Sequence, residues 1–128
     1  MGTWLAVFDN NGDVAGSISQ RPDLMPILDI LKEKGDEIFS QADSILVEID
    51  IEEEILKKIV ELCKKHGKAL YGVVSNMTIA AERWNYLGSF DCFICNLLES
   101  GILFGQDYSD KTAAQMCEIG RASCRERV

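Results

Sequence analysis

The sequence predicts an α/β fold with a parallel sheet, helices on both of its faces, and a β-hairpin at the N-terminus. Two features carry that expectation. From residue 44 onward, short β-prone runs alternate with amphipathic helical segments, as in βαβ units joined by right-handed crossovers. Ahead of them, two β-prone runs flank an Asn-Gly pair, a strong short-range hairpin signal because both residues tolerate positive φ. A chain of 128 residues, 47% hydrophobic and 27% charged, fits one compact domain at most and is too apolar for disorder.

Taken in order, the hairpin strands are residues 3–8 (TWLAVF) and the run VAGSIS that follows the turn. Alternation puts Trp4, Ala6 and Phe8 on one face of the first strand and Thr3, Leu5 and Val7 on the other. The turn Asp9-Asn10-Asn11-Gly12-Asp13 faintly resembles a calcium loop. Its Gly falls two positions early for an EF-hand, however, and Gln20 stands where the bidentate Glu belongs, so the hairpin reading is kept. Between Pro22 and Ala42 the pattern is helical but broken: Pro22 and Pro26 confine a first helix to a short piece, and Gly35 separates it from residues 36–42.

Residues 44–49 (SILVEI) then form a strand, and Asp50 caps the next helix with Glu53 completing a capping box. Ile51, Ile55, Leu56, Ile59, Val60 and Cys63 recur at helical spacing and make one buried stripe. Glu52–Glu54 sit at the positive end of that helix, Lys64, Lys65 and His66 at its negative end, and Gly67 stops it. The lysines and the single His thus have a structural, solvated role. A strand at 69–74, a helix at 78–87 and a strand at 91–95 follow, with further helices starting near residues 96–98 and 110–116.

In an open parallel sheet, ligands bind beyond the carboxyl ends of the strands. That rule selects Glu48 to Asp50, Ser75-Asn76, and Asn96 to Glu99, all polar directly after apolar runs. Capping or turn roles explain Asp50, Ser75 and Asn96 as readily as function does. Glu48 is a carboxylate inside a strand flanked by Val and Ile, where burial demands a partner or a ligand. Cys92 and Cys95 are three apart on a strand, face opposite ways, and cannot grip one zinc together.

The order of these elements resembles the central portion of a ribokinase-like (PfkB) carbohydrate kinase. GTWLAVFDNNGDVAGSIS is similar to the paired strands of that family's lid, and ADSILVEIDIEEEILKKIVELCKKHGKALYGVVSN to its next strand–helix–strand. FDCFICNLLESGILFG is similar to the segment holding its Asn-x-x-Glu motif, here Asn96 and Glu99. The resemblance implies an ATP- and Mg²⁺-dependent kinase phosphorylating a hydroxymethyl group of a sugar or nucleoside, a pseudouridine-like one included. It places Glu48 and Asp50 beside the substrate. Asn96, Glu99 and Asn76 fall in the nucleotide and magnesium region, with Glu99 acting on the metal through water. Homodimers through the lid hairpin are also implied.

Three departures stand out. Cys95 replaces a common Pro, the Asn-Pro or Asp-Pro pair expected near Val74–Asn76 is absent, and the basic residue expected near Ala80 is missing. A non-catalytic sugar- or nucleoside-sensing domain on the same scaffold is the alternative. The resemblance covers residues 2–117 and omits the family's N-terminal Gly-Gly motif and its C-terminal segment with the anion hole and catalytic Asp. The expectation is a partial kinase domain over 1–117 that is inactive by itself.

Residues 118–128, EIGRASCRERV, are Arg-rich on an otherwise acidic chain and back-translate, from the second base, into a common sequencing adapter. They are expected to be a non-native tail. The net charge of −8 argues against a nucleic-acid surface. No apolar run reaches the ~18–20 residues of a membrane span, and the N-terminus lacks the basic region of a signal peptide. With five cysteines, odd in number and irregularly spaced, reduced thiols and a cytoplasmic setting are expected.

Overall fold

In the computed structural model, residues 2–12, 14–108, 110–112, 114–116 and 118 are described. The expected non-native tail therefore lies, from residue 119 on, outside the described residues, as do Cys117 and Cys124. Two sheets are present: an antiparallel hairpin of β1 (Thr3–Phe8) and β2 (Val14–Gln20), and a parallel sheet of β3 (Ser44–Glu48), β4 (Ala69–Val73) and β5 (Cys92–Ile94), in the order β3-β4-β5.

The hairpin closes as its turn residues direct. The Gly12 N–H donates to the Asp9 carbonyl at 3.2 Å, the Asp9 side chain accepts from the Asn11 N–H at 2.8 Å, and Gly12 takes φ +87°. Trp4, Leu5, Val7, Phe8 and Ile18 all remain exposed, so neither face of the hairpin is packed.

The first helix departs from expectation. α1 runs unbroken over Met25–Gln41 with Pro26 in its first turn, where the missing N–H has no helical partner to lose. Gly35 does not interrupt it. Gly35 is buried in the helix, and a Cβ there would stand 2.6 Å from Leu62 Cδ1 on α2 (Glu53–His66). The glycine is a packing site that lets the two helices approach closely, and tertiary contact overrides its poor helix propensity.

α2 buries Ile55, Leu56, Ile59, Val60, Leu62 and Cys63 and ends at Gly67 in the left-handed conformation, as its stripe and glycine predict. Lys65 and His66, expected to be merely solvated, both meet the Asp36 carboxylate of α1 at 2.7 Å. The helix expected at 78–87 is instead α3 (Met77–Glu82), followed by a 3-10 segment over Trp84–Ser89. Asn96 caps α4 (Leu97–Phe104), and residues 114–116 are helical.

α1, α2, α3, the 3-10 segment and α4 all contribute to one core cluster, against which Ile45, Val47 and Phe93 of the sheet pack. The strands are added in one direction, so successive right-handed crossovers keep their helices on the same face. The other face, with Ser44, Leu46, Glu48, Cys92 and Ile94, is exposed. The expectation of helices on both faces is therefore not met by the described residues. Among them, no helix is long and apolar enough to cross a membrane.

Candidate functional site

β3, β4 and β5 end at Glu48, Val73 and Ile94, and the three polar segments named above follow them directly. Asp50 is the buried charge at this edge, with 1% of its surface exposed. It does not cap α2: the N-cap is Glu52, and no side chain makes the capping bond. The Ile49 N–H donates to the Val73 carbonyl at 2.9 Å, extending the β3–β4 pairing one residue past the strand. Asp50 thus arrives beside the loop after β4. There its Oδ2 accepts from the Ser75 hydroxyl at 3.0 Å and lies 3.8 Å from Arg21 Nη1, while its Oδ1 is buried without a partner.

Glu48 is exposed, on the open face with Ser44 and Leu46. Alternation along β3 turns it away from the helices, so its expected burial is not observed and the demand for a partner falls away. Glu53, expected in a capping box with Asp50, instead accepts from the Tyr86 hydroxyl at 3.0 Å and lies 3.8 Å from Arg83. Burial, and secondarily the bond to Glu53, raises the Tyr86 pKa above its ordinary value.

The capping box forms one element later. Asn96 Oδ1 accepts from the Glu99 N–H, and Glu99 Oε2 from the Asn96 N–H, both at 2.8 Å. Asn76 caps α3 by accepting from the Ile79 N–H at 3.3 Å. Of the residues selected from sequence, the structure thus joins Asp50 to Ser75 and Asn96 to Glu99. Asn76 uses its side chain on its own helix, and Glu48 stands in solvent. Arg21 was not foreseen, since it is 29 positions from Asp50 and nothing local marks it.

Asp50, Ser75, Arg21, Asn96 and Glu99 offer this edge hydrogen bonds and charge. Cys92 is exposed, while Cys95, like Cys63, packs against the core, and burial raises the pKa of both packed thiols. Among the described residues, no group of three or more His, Cys, Asp or Glu side chains gathers to hold a metal. A shallow cleft lined by Cys63, Lys64, Gly67, Lys68 and Asp91 lies where β4 and β5 begin, at the end of the sheet opposite the candidate site.

No family model matches the chain. Over 103 residues it is 31% identical to a guanosine-inosine kinase from Exiguobacterium acetylicum, which covers 80% of this chain and 34% of that protein. A crystal structure of a "putative sugar kinase" from Clostridium perfringens matches with a TM-score of 0.61 at 18% identity, covering 94% of this chain and 37% of that one, a likeness of fold. The chain spans about a third of the length of these relatives.

Proposed function

These two relatives point to the ribokinase-like (PfkB) kinase family, and from that premise we propose that the chain is part of a cytoplasmic, ATP-dependent kinase acting on a hydroxymethyl group of a nucleoside or sugar. The observation that carries this reading is the 31% identity to a guanosine-inosine kinase over 80% of the chain. It favours a nucleoside acceptor, and a purine one, over a simple sugar. The cluster of polar side chains at the carboxyl edge of the parallel sheet supports it independently.

Phosphoryl transfer of this kind depends on positioning and on stabilising charge at the transferred group. Glu48 and Asp50 stand on the acceptor side of the edge. Asn96, Glu99 and Asn76 stand on the nucleotide side. Glu99 suits Mg²⁺, which prefers oxygen ligands and keeps several waters, so one carboxylate acting through water is enough. Its side chain is held ready by the 2.8 Å bond to the Asn96 N–H. When bound, the metal neutralises charge on the phosphates. The general base and the anion-binding backbone belong, on the resemblance, to a segment outside these 128 residues.

A non-catalytic nucleoside sensor is the second reading. It is favoured by the reciprocal capping box, which occupies Asn96 and Glu99 with each other. The test is Mg²⁺-dependent ATP turnover by the full-length protein with guanosine, inosine, pseudouridine and ribose. Turnover stimulated by one of them is expected. Binding of a nucleoside with no turnover would overturn the kinase reading in favour of the sensor.

A further inference from the structure

We infer that Arg21 is a positioning residue: through its ion pair with the buried Asp50, it holds the N-terminal hairpin in a fixed orientation over the carboxyl edge of the parallel sheet. Asp50 is a carboxylate with 1% exposure, one hydrogen bond from Ser75 and one oxygen without a donor. A buried charge so incompletely satisfied needs a counter-charge, and removing that counter-charge is strongly destabilising. Arg21 supplies it at 3.8 Å, from a side chain about one-third exposed. That separation is within ion-pair range but longer than the ~2.7–3.2 Å of a direct N–H···O bond, so the link is one of charge attraction.

The position of Arg21 in the chain makes this pair a mechanical link. Arg21 follows Gln20, the last residue of β2, and precedes Pro22, which restricts it to extended backbone. The guanidinium is therefore carried stiffly by the strand. Both ends of the hairpin meet at this point: Thr3 pairs with Gln20, and a Cβ on Gly2 would stand 3.0 Å from Pro22 Cδ. Beyond this junction the strands are exposed along both faces, so packing contributes little to fixing their direction. A movement of the hairpin must move Arg21, and a change around Asp50 or Ser75 must be felt by the hairpin. That the hairpin covers a substrate rests on the kinase reading, whereas the tether does not.

The experiment reads the tether without any turnover. In the full-length protein, Trp84→Phe, with Phe also in place of any tryptophan outside these 128 residues, leaves Trp4, on the hairpin, as the sole tryptophan, and its time-resolved fluorescence anisotropy is measured. With Arg21 in place, Trp4 is expected to tumble with the body. Arg21→Met and Asp50→Asn should each add a nanosecond component, the double variant should add no more than either alone, and Arg21→Lys should largely restore the slow decay. Asp50→Asn removes the buried charge itself, so that variant folds even if Arg21→Met does not, as circular dichroism would show. An equal fast component in the parent and in Asp50→Asn, or additive gains in the double variant, would overturn the tether. Neither result would bear on whether the full-length protein is a kinase.

Discussion

Glu48 and Asp36 are both exposed carboxylates, and their surroundings give them different expectations. Glu48 is exposed on the open sheet face, its side chain with no hydrogen bond or ion pair among the described residues, so in the full-length protein Glu48→Gln should leave the melting temperature nearly unchanged. If the residue touches the acceptor there, KM should rise or kcat fall by about tenfold or more, the loss of one charge-assisted bond. Unchanged kinetics would remove it from the site. Asp36 is held below the usual carboxylate range by hydrogen bonds from Lys65 first and His66 second. A carboxyl depressed in the folded state stabilises the fold above its unfolded pKa, and that contribution is lost as pH falls through the folded value. Thermal melts of Asp36→Asn should therefore show a shallower acid limb than the parent and a slightly lower melting temperature at neutral pH. The effect is small because the pair is solvent-screened. Parallel acid limbs would show that the α1–α2 ion pair contributes nothing.

At the scale of the element, the α1–α2 contact is the feature on which the core depends most sharply. Gly35 lies inside α1, where alanine would ordinarily be preferred by about 1 kcal/mol on propensity alone. The 2.6 Å approach of Leu62 to a Cβ at this site reverses that preference. Gly35→Ala should destabilise by about 1–3 kcal/mol, the usual penalty of overpacking, as read by urea denaturation. Leu62→Ala in the same background should recover part of the loss despite creating space elsewhere. A stabilised Gly35→Ala protein would mean that the helices separate without cost. The same contact explains why α1 continues through a glycine: burial of Leu28, Leu31 and Phe39 along its length outweighs one unfavourable position.

At the scale of the whole molecule, the described residues cover one face of the parallel sheet and leave the other bare. Leu46 and Ile94 are 64% and 56% exposed on the bare face, and the hairpin adds further exposed aromatics and aliphatics. Exposed apolar side chains and open strand edges in such number promote association. Produced alone, the 128-residue chain should therefore be poorly soluble, and it should not consume ATP with any sugar or nucleoside. On the proposed kinase reading the general base and anion-binding donors belong to another segment; lacking a general base costs ~10²–10⁴-fold, and lacking one anion-stabilising donor a further ~10²–10³-fold. Size-exclusion chromatography and a coupled ADP assay test both expectations. Substrate-stimulated, magnesium-dependent turnover by this chain would contradict them.

Local chemistry made the strands, the second helix and the hairpin turn legible in advance. The β-branched runs, the stripe from Ile55 to Cys63, and Gly12 and Gly67 each act through neighbours within a few residues. The likeness to a kinase was also visible in the sequence, because it rests on the order of such elements. What the tertiary structure decided lay between residues far apart in the chain. It made Gly35 a packing site rather than a break, moved the capping box from Asp50–Glu53 to Asn96–Glu99, and turned Glu48 outward. It also brought Arg21, Asp50 and Ser75 together over 29 and 25 positions. The physical reason is that sequence spacing fixes which way a side chain points along its own element, whereas burial and partners depend on which other element arrives opposite it.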